Sequence, residues 1–325
     1  MVRIGIPRAL LYYHYHPLWS TFWRYLGLEV VSSPPTSKEI LDQGVSAAVA
    51  EACLPVKVFY GHAFYLAPQV EFLFVPRLVS AETGTYICPK LMGLPDMLRH
   101  AGRKLPPLLS PTLNARCGPR AWEEALTRTA RVLGFSAGQA KRAWNAAAAE
   151  QARYTAKLGE GKTPLDILSE GKEDKEGGQD QNLGTQKALL LLGHPYNLFD
   201  DFISLGLLRR LRARGYRVTT AEMLSSRLIA EEAARLPKAL FWSLGRLVLG
   251  AGSYYLRSGG VAGIIHVVSF GCGPDSLVGE LLERKARRAG QLPFLLLTLD
   301  EHTGEGGMVT RLEAFLDMVE WRNAS

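Results

Sequence analysis

The sequence predicts an α/β protein made of two doubly wound, parallel-sheet domains of the Rossmann or flavodoxin type, joined by a helical, partly disordered connector. Three observations predict it. Short apolar runs alternate with helix-like stretches over the first 115 residues, the same alternation resumes at Ala188, and the segment between them has no strand signal. Strands separated by helix-length segments form βαβ units, whose strands pair in parallel. The expected divisions are residues 1–118 for an N-terminal α/β domain, 119–187 for a helical segment and linker, and 188–325 for a C-terminal α/β domain.

In the N-terminal domain, Arg3 to Pro7 reads as a short strand. Leu10 to Leu26 is a helical stretch rich in aromatic residues, and Gly27 ends it. Leu28 to Ser32 is a second strand, and Thr36-Ser-Lys-Glu39 has the pattern of a capping box opening the next helix. Pro55 to Tyr65 reads as another helix and Val70 to Val79 as a near-continuous apolar strand. Residues 120–157 are alanine-rich and charged, suiting one or two helices. Gly159 to Lys187 is poor in apolar residues and rich in Gly, Lys, Asp and Glu, the composition of a mobile linker. In the C-terminal domain, strands are expected at Ala188–Leu192, Tyr216–Thr220, Val261–Phe270 and Pro293–Leu299. Helices are expected at Phe202–Ala213, over most of Glu222–Gly259, at Ser276–Ala289 and at Met308–Trp321.

The chain has 325 residues, 47% of them hydrophobic, enough for two domains with separate cores. Its net charge is +7, with much of the excess in Arg209-Arg210-Leu-Arg212-Ala-Arg214 and Arg284-Lys285-Ala-Arg287-Arg288. Such stretches suit solvated helix faces, or an anionic ligand such as a CoA ester, or an acidic protein partner. Nucleic acid is not expected, because no binding motif accompanies the charge. The N-terminus enters a strand directly with no secretory signal, and no apolar run approaches the ~20 residues of a membrane span. A cytoplasmic protein without a membrane segment is therefore expected. Its cysteines would be reduced, so metal binding or redox chemistry outranks disulfides.

All four cysteines precede a proline within two residues: Cys53-Leu-Pro55, Cys88-Pro89, Cys117-Gly-Pro119 and Cys272-Gly-Pro274. Proline makes up about 5% of ordinary sequence, so four such hits are improbable by accident. Proline fits the first turn of a helix, and a thiolate just before a helix start is favoured by the dipole. Thiolates so placed suit a metal or an iron–sulfur cluster. A small buried core residue is the alternative for Cys53, Cys88 and Cys272, and an incidental position is the alternative for Cys117 at the edge of the helical segment. The spacing offers no C-x2-C and no ferredoxin run, so tertiary structure would have to assemble any site. Neither a G-x-x-x-x-G-K-[ST] loop nor a G-x-G-x-x-G fingerprint is present, which argues against ATP or NAD binding by this chain.

Open α/β sheets bind ligands beyond the carboxyl ends of their strands. The residues following those ends are Gly193-His194-Pro195-Tyr196-Asn197, Gly271-Cys272-Gly273-Pro274-Asp275 and Asp300-Glu301-His302-Thr303-Gly304. His194, Glu301 and His302 are candidate proton donors there. Capping is the plainer explanation for Asp275 or Ser276 and for Asp300 and Glu301, and an N-cap or a loop hydrogen-bonding role is the alternative for His194 and His302.

Six segments carry a resemblance: Ile4-Gly-Ile-Pro-Arg-Ala-Leu-Leu-Tyr-Tyr13, Glu51-Ala-Cys-Leu-Pro-Val-Lys57, Tyr86-Ile-Cys-Pro-Lys90, Gly193-His-Pro-Tyr-Asn197, Phe270-Gly-Cys-Gly-Pro-Asp275 and Thr298-Leu-Asp-Glu-His-Thr-Gly304. Together they resemble the acyl-CoA dehydratase activase-related proteins, within the wider 2-hydroxyacyl-CoA dehydratase and benzoyl-CoA reductase group. The likeness spans both α/β domains and leaves out the connector. It implies a [4Fe-4S] cluster on three cysteines, here Cys53, Cys88 and Cys272. It also implies an ATP-hydrolysing activase as donor of low-potential electrons, and an acyl-CoA or other small molecule as the substrate of anaerobic reductive or radical chemistry. Cys117 falls outside the pattern and would be an extra ligand, closing the cluster for electron transfer. The related dehydratases pair two subunits, so a homodimer or a second partner is implied, and a double cubane would need the cysteines of a dimer. Three readings stand open: a cluster-bearing acceptor enzyme, a non-catalytic electron carrier or accessory subunit, and a metal-free binding scaffold.

Overall fold

The structure, a computed structural model, describes residues 1–170, 187–290 and 292–324. The chain divides into two compact units, Met1–Ala156 with Phe241–Ser243, and Lys157–Leu240 with Leu244–Ser325.

The first unit contains β1 (Arg3–Ile6), α1 (Tyr12–Tyr25), β2 (Glu29–Ser32), α2 (Lys38–Val45), α3 (Leu54–Leu66), β3 (Phe72–Phe74) and β4 (Arg77–Ser80). It continues through α4 (Pro89–Met92), α5 (Leu94–Arg99), β5 (Leu108–Leu109), β6 (Thr112–Asn114), α6 (Ala121–Val132) and α7 (Ala137–Gly159). Its main sheet has the order β2-β1-β3-β5, and β4 pairs with β6 in a second small sheet. All of these pairings are parallel. The aromatic helix α1 covers the main sheet. Trp19 and Trp23 meet Phe74 edge-on with ring centroids 5.5 and 5.6 Å apart, a favoured arrangement of aromatic quadrupoles. Gly27, at φ +80°, takes the left-handed turn that stops the helix.

Two expectations for this unit need correction. The run Val70–Val79 is not one strand: Val75 and Pro76 separate β3 from β4, which belong to different sheets. Proline has no backbone donor for a ladder, so an interior strand breaks there. The cap of α2 is Ser37 rather than Thr36. Ser37 Oγ accepts from Ile40 N at 3.3 Å, while Thr36 Oγ1 lies 2.8 Å from His62 Nε2.

The second unit opens with the end of α7 and a short helix α8 (Pro164–Leu168). This corrects part of the Gly159–Lys187 linker. Thr163 and Asp166 form a reciprocal capping box, and Arg212 grips both carboxylate oxygens of Asp166 at 2.7 Å. A local cap and one bidentate ion pair order a segment whose composition is otherwise polar. The remainder of that stretch, residues 171–186, lies outside the described residues. Then follow β7 (Ala188–Gly193), α9 (Pro195–Leu198), α10 (Leu207–Ala213), β8 (Arg217–Thr220), α11 (Ser226–Ala233) and α12 (Ser243–Ser258). The unit ends with β9 (Gly263–Ser269), α13 (Gly273–Ala289), β10 (Phe294–Leu299) and α14 (Glu305–Ala324).

This sheet has the order β10-β9-β7-β8, again all parallel. Every residue of β7 and β9 is buried. Continuous apolar runs such as Leu189–Leu192 are what a strand covered on both faces requires. Each buried leucine stabilises the fold by about 2 kcal/mol. On one side Leu190, Leu192 and Ile264 pack with Val248, Leu249 and Leu282. Both units thus carry the strand order 2-1-3-4 of a doubly wound sheet. Among the described residues no helix is long and apolar enough to cross a membrane.

Candidate functional site

In a 2-1-3-4 sheet the chain leaves the first and third strands toward opposite faces, opening a crevice at their carboxyl ends. In the second unit those strands are β7 and β9, paired directly with Gly193 opposite Val267. Gly193 turns the chain at φ +154°, and a side chain there would sit 2.6 Å from the Val267 carbonyl oxygen. That turn delivers His194 to the N-cap of α9, ahead of Pro195. After β9, Gly271 at φ +73° brings Cys272 to the N-cap of α13, with Pro274 in the first turn.

The two turns bring three side chains together. The ligand atoms of His194, Cys272 and Asp275 all lie within 4.8 Å of one another. All three residues are buried, at 2%, 7% and 0% exposure. His194 Nε2 lies 3.3 Å from Asp275 Oδ1, and the Tyr196 hydroxyl lies 2.6 Å from His194 Nδ1. Ser269 Oγ donates to Asn197 Oδ1 at 2.7 Å beside them. Burial pushes the Asp275 carboxyl up to about 8, because a carboxylate removed from water loses its hydration.

Asp275 was expected as a helix cap, but Cys272 holds that position. Neither carboxylate oxygen of Asp275 receives a hydrogen bond, while Ser276 Oγ donates to the Cys272 carbonyl at 2.8 Å. Glu301 and His302 lie in the turn after β10, half-buried and exposed respectively. There the Asp300 carboxylate accepts from His302 N at 3.0 Å and Thr303 Oγ1 at 2.8 Å. Neither Glu301 nor His302 belongs to the His194–Cys272–Asp275 group.

In the first unit Cys53 and Cys88 are the N-cap residues of α3 and α4, each with proline in the first turn and no side-chain capping bond. Cys53 is buried and Cys88 half-buried. Burial raises the Cys53 thiol, the Lys90 ammonium and the Val56 amide pull it back, and a Cys88 thiolate pushes it up again. The expected acidification by the helix start is therefore outweighed at Cys53 by desolvation. Metal binding would have to displace that proton. Lys90 Nζ donates to the Glu51 carbonyl at 2.8 Å, which anchors its charge near this corner. Cys117 differs from the other three. It is exposed, closes the single 3₁₀ turn Ala115–Cys117, and accepts from Asn114 Nδ2 at 3.2 Å.

The structure thus groups His194 with Cys272, and sets Cys53 within the electrostatic reach of Cys88. Sequence reasoning passed over Asp275 and Tyr196 as functional groups. The available signal was an acid three residues past a cysteine at a helix start, next to a strand end.

Residues 3–224 match the model of a family described as the CoA enzyme activase uncharacterised domain. Cys53, Cys88, Cys117 and His194 lie inside the matched span, and Cys272, Asp275, Glu301 and His302 beyond it. No curated protein matches the chain.

Proposed function

We propose a function that starts from membership: the chain belongs to the family of the CoA enzyme activase uncharacterised domain and is related to acyl-CoA dehydratase activation. On this reading it is an iron–sulfur acceptor component that takes low-potential electrons from an ATP-hydrolysing activase and serves reductive or radical chemistry on an acyl-CoA or other small molecule. Cys53, Cys88 and Cys272 would hold a [4Fe-4S] cluster.

The observation that carries the reading is a shared local geometry. Each of these cysteines is the N-cap of a helix, has proline in the following turn, and makes no side-chain capping bond. Three thiols fit a cubane with one iron left without a protein thiolate, and Cys117 stands outside the set in its exposed turn. When bound, such a cluster supplies one-electron chemistry at low potential.

The protein's own groups would handle protons. His194 Nδ1 and the Tyr196 hydroxyl share a hydrogen bond at 2.6 Å, and Asp275 Oδ1 lies 3.3 Å from His194 Nε2 without accepting a hydrogen bond. A turn of the His194 ring that aligned Nε2 with Oδ1 would let it pass a proton between the carboxyl and the phenol. Glu301 and His302, at the end of β10, are the other candidate donors. A homodimer is proposed as the assembly, and a double cubane would draw on both copies.

The test is iron and acid-labile sulfide content, with an EPR spectrum, on protein purified without oxygen. About four irons per chain are expected, and Cys53→Ala, Cys88→Ala or Cys272→Ala should each remove the reducible signal. Cys117→Ser should keep it. If Cys117→Ser loses the signal, the closed electron-carrier reading replaces the open acceptor. No iron after reconstitution would leave a binding scaffold without a cluster.

A further inference from the structure

We propose that His194, Cys272 and Asp275 form a binding site for a single divalent transition-metal ion of the zinc class, using His194 Nε2, Cys272 Sγ and one Asp275 carboxylate oxygen. The site uses neither Cys53 nor Cys88, so it stands or falls independently of the cluster. Where both exist, ion and cluster compete for Cys272.

Five features point the same way. The donor set is one imidazole, one thiol and one carboxylate, the borderline mixture that zinc accepts. The spacing is close to what coordination demands. Bonds of about 2.0–2.3 Å to a tetrahedral ion place ligand atoms roughly 3.3–3.8 Å apart. Here the three atoms already lie within 4.8 Å of one another, and the His194–Asp275 edge is 3.3 Å. Side-chain adjustments of about an ångström would close the remainder.

Asp275 is a further, independent sign. It is 0% exposed, and both its oxygens lack a hydrogen-bond donor. A buried carboxyl left so is costly, and a cation would satisfy it. The outer shell is also present. With Nε2 on the ion, His194 Nδ1–H donates to the Tyr196 oxygen at 2.6 Å, which fixes the ring and its tautomer. Three protein ligands leave a fourth tetrahedral position. A pocket of about 290 Å³, lined by Ser269, Gly271, Asp275, Ser276 and Thr298 among others, adjoins Asp275 and could admit water or a small ligand to it. Three ligands plus an open position is the arrangement of catalytic zinc sites.

The test uses full-length protein stripped with a chelator and titrated with Co²⁺, then with Zn²⁺ against a chromophoric chelator. One equivalent of Co²⁺ should give tetrahedral d–d bands together with a thiolate-to-cobalt charge-transfer band. The charge-transfer band should vanish in Cys272→Ala. His194→Ala and Asp275→Asn should each weaken Zn²⁺ binding by at least about tenfold, and Tyr196→Phe by about 10- to 100-fold. Cys53→Ala and Cys88→Ala should bind Zn²⁺ as the parent does. Asp275→Asn keeps the side-chain shape, and Tyr196→Phe keeps all three ligands, so a folding failure in His194→Ala leaves the other two decisive. Zinc affinity indifferent to Asp275→Asn and Tyr196→Phe would overturn the site. So would affinity lost in Cys53→Ala or Cys88→Ala, which would assign the metal to the cluster thiols. Absence of iron after reconstitution would sink the cluster and leave this result untouched.

Discussion

Gly61→Ala is expected to unfold the N-terminal unit, although alanine is the better helix former. Gly61 lies in α3, where by propensity alone the change would stabilise by about 1 kcal/mol. Sterics reverse the sign. A Cβ on Gly61 would lie 1.8 Å from the carbonyl oxygen of Ile40 in α2, and a Cβ on Gly44 would lie 1.8 Å from the carbonyl oxygen of Lys57 in α3. The two helices therefore touch backbone to backbone through a reciprocal glycine pair, and neither obstacle is a flexible side chain that could swing away. Relief requires the helices to part, which opens the seam around buried Ile40 and Val58. The expected loss is about 4 kcal/mol or more, in the range reserved for severe packing failures. Because Cys53 is the N-cap of α3, any surviving fold would also displace that thiol. Gly138→Ala in α7 is the control: its new methyl would find only Arg142 Nη1, at 3.7 Å, so it should be neutral or slightly stabilising. Denaturant unfolding of the three proteins decides the matter. A parental midpoint for Gly61→Ala would mean that α2 and α3 do not pack this closely.

The sheet was the legible part of the fold, and the reason is local. Runs such as Leu189–Leu192 and Ile264–Val268 are long enough and apolar enough to read as strands covered on both sides. Glycine and proline marked where those runs stop. Less of what depends on tertiary partners could be read. Pro76 was visible as a strand breaker, but the division of β3 and β4 between two sheets follows from which neighbours they meet. The capping box Thr163–Asp166 sat in a stretch whose composition hid it, and Arg212, which completes its ordering, lies 46 residues away from Asp166. The segment Phe241–Ser243 joins the first unit by pairing with Tyr86, through bonds of 2.7 and 2.9 Å between backbones far apart in sequence. At the site, strand-end reasoning found His194 and Cys272 because both follow directly on neighbouring strands. Asp275 looked like a cap. Its burial against His194 is set by the adjacency of β7 and β9, which no local pattern encodes.

Acid should destabilise the second unit through His266, and His266→Leu should remove that part of the pH dependence. His266 sits in β9 at 0% exposure, its ring 6.4 Å from that of Phe294, and neither ring nitrogen has a hydrogen-bond partner. Burial alone lowers its pKa to about 3 from the ordinary value of 6.5. The imidazole is thus neutral in the fold at any pH above about 3, while the unfolded chain takes up a proton below about 6.5. The unfolded state binds the extra proton within that window, so stability falls as pH falls through it. The contribution lost between pH 7 and pH 4 is about 3 kcal/mol for this one group. His62 acts with the same sign in the first unit, its pKa lowered to about 3 by burial and by the Arg8 charge. The measurement is the difference in unfolding free energy between the parent and His266→Leu, taken at several pH values. This difference cancels distant titrations such as that of His62. The variant should gain on the parent steadily as pH drops from 6.5 toward 4. At pH 7 it should be no less stable than the parent, because a buried polar ring without partners is replaced by an apolar side chain. Parallel curves would mean that His266 is already protonated or hydrated in the folded protein, and would take its buried position at the centre of β9 with it.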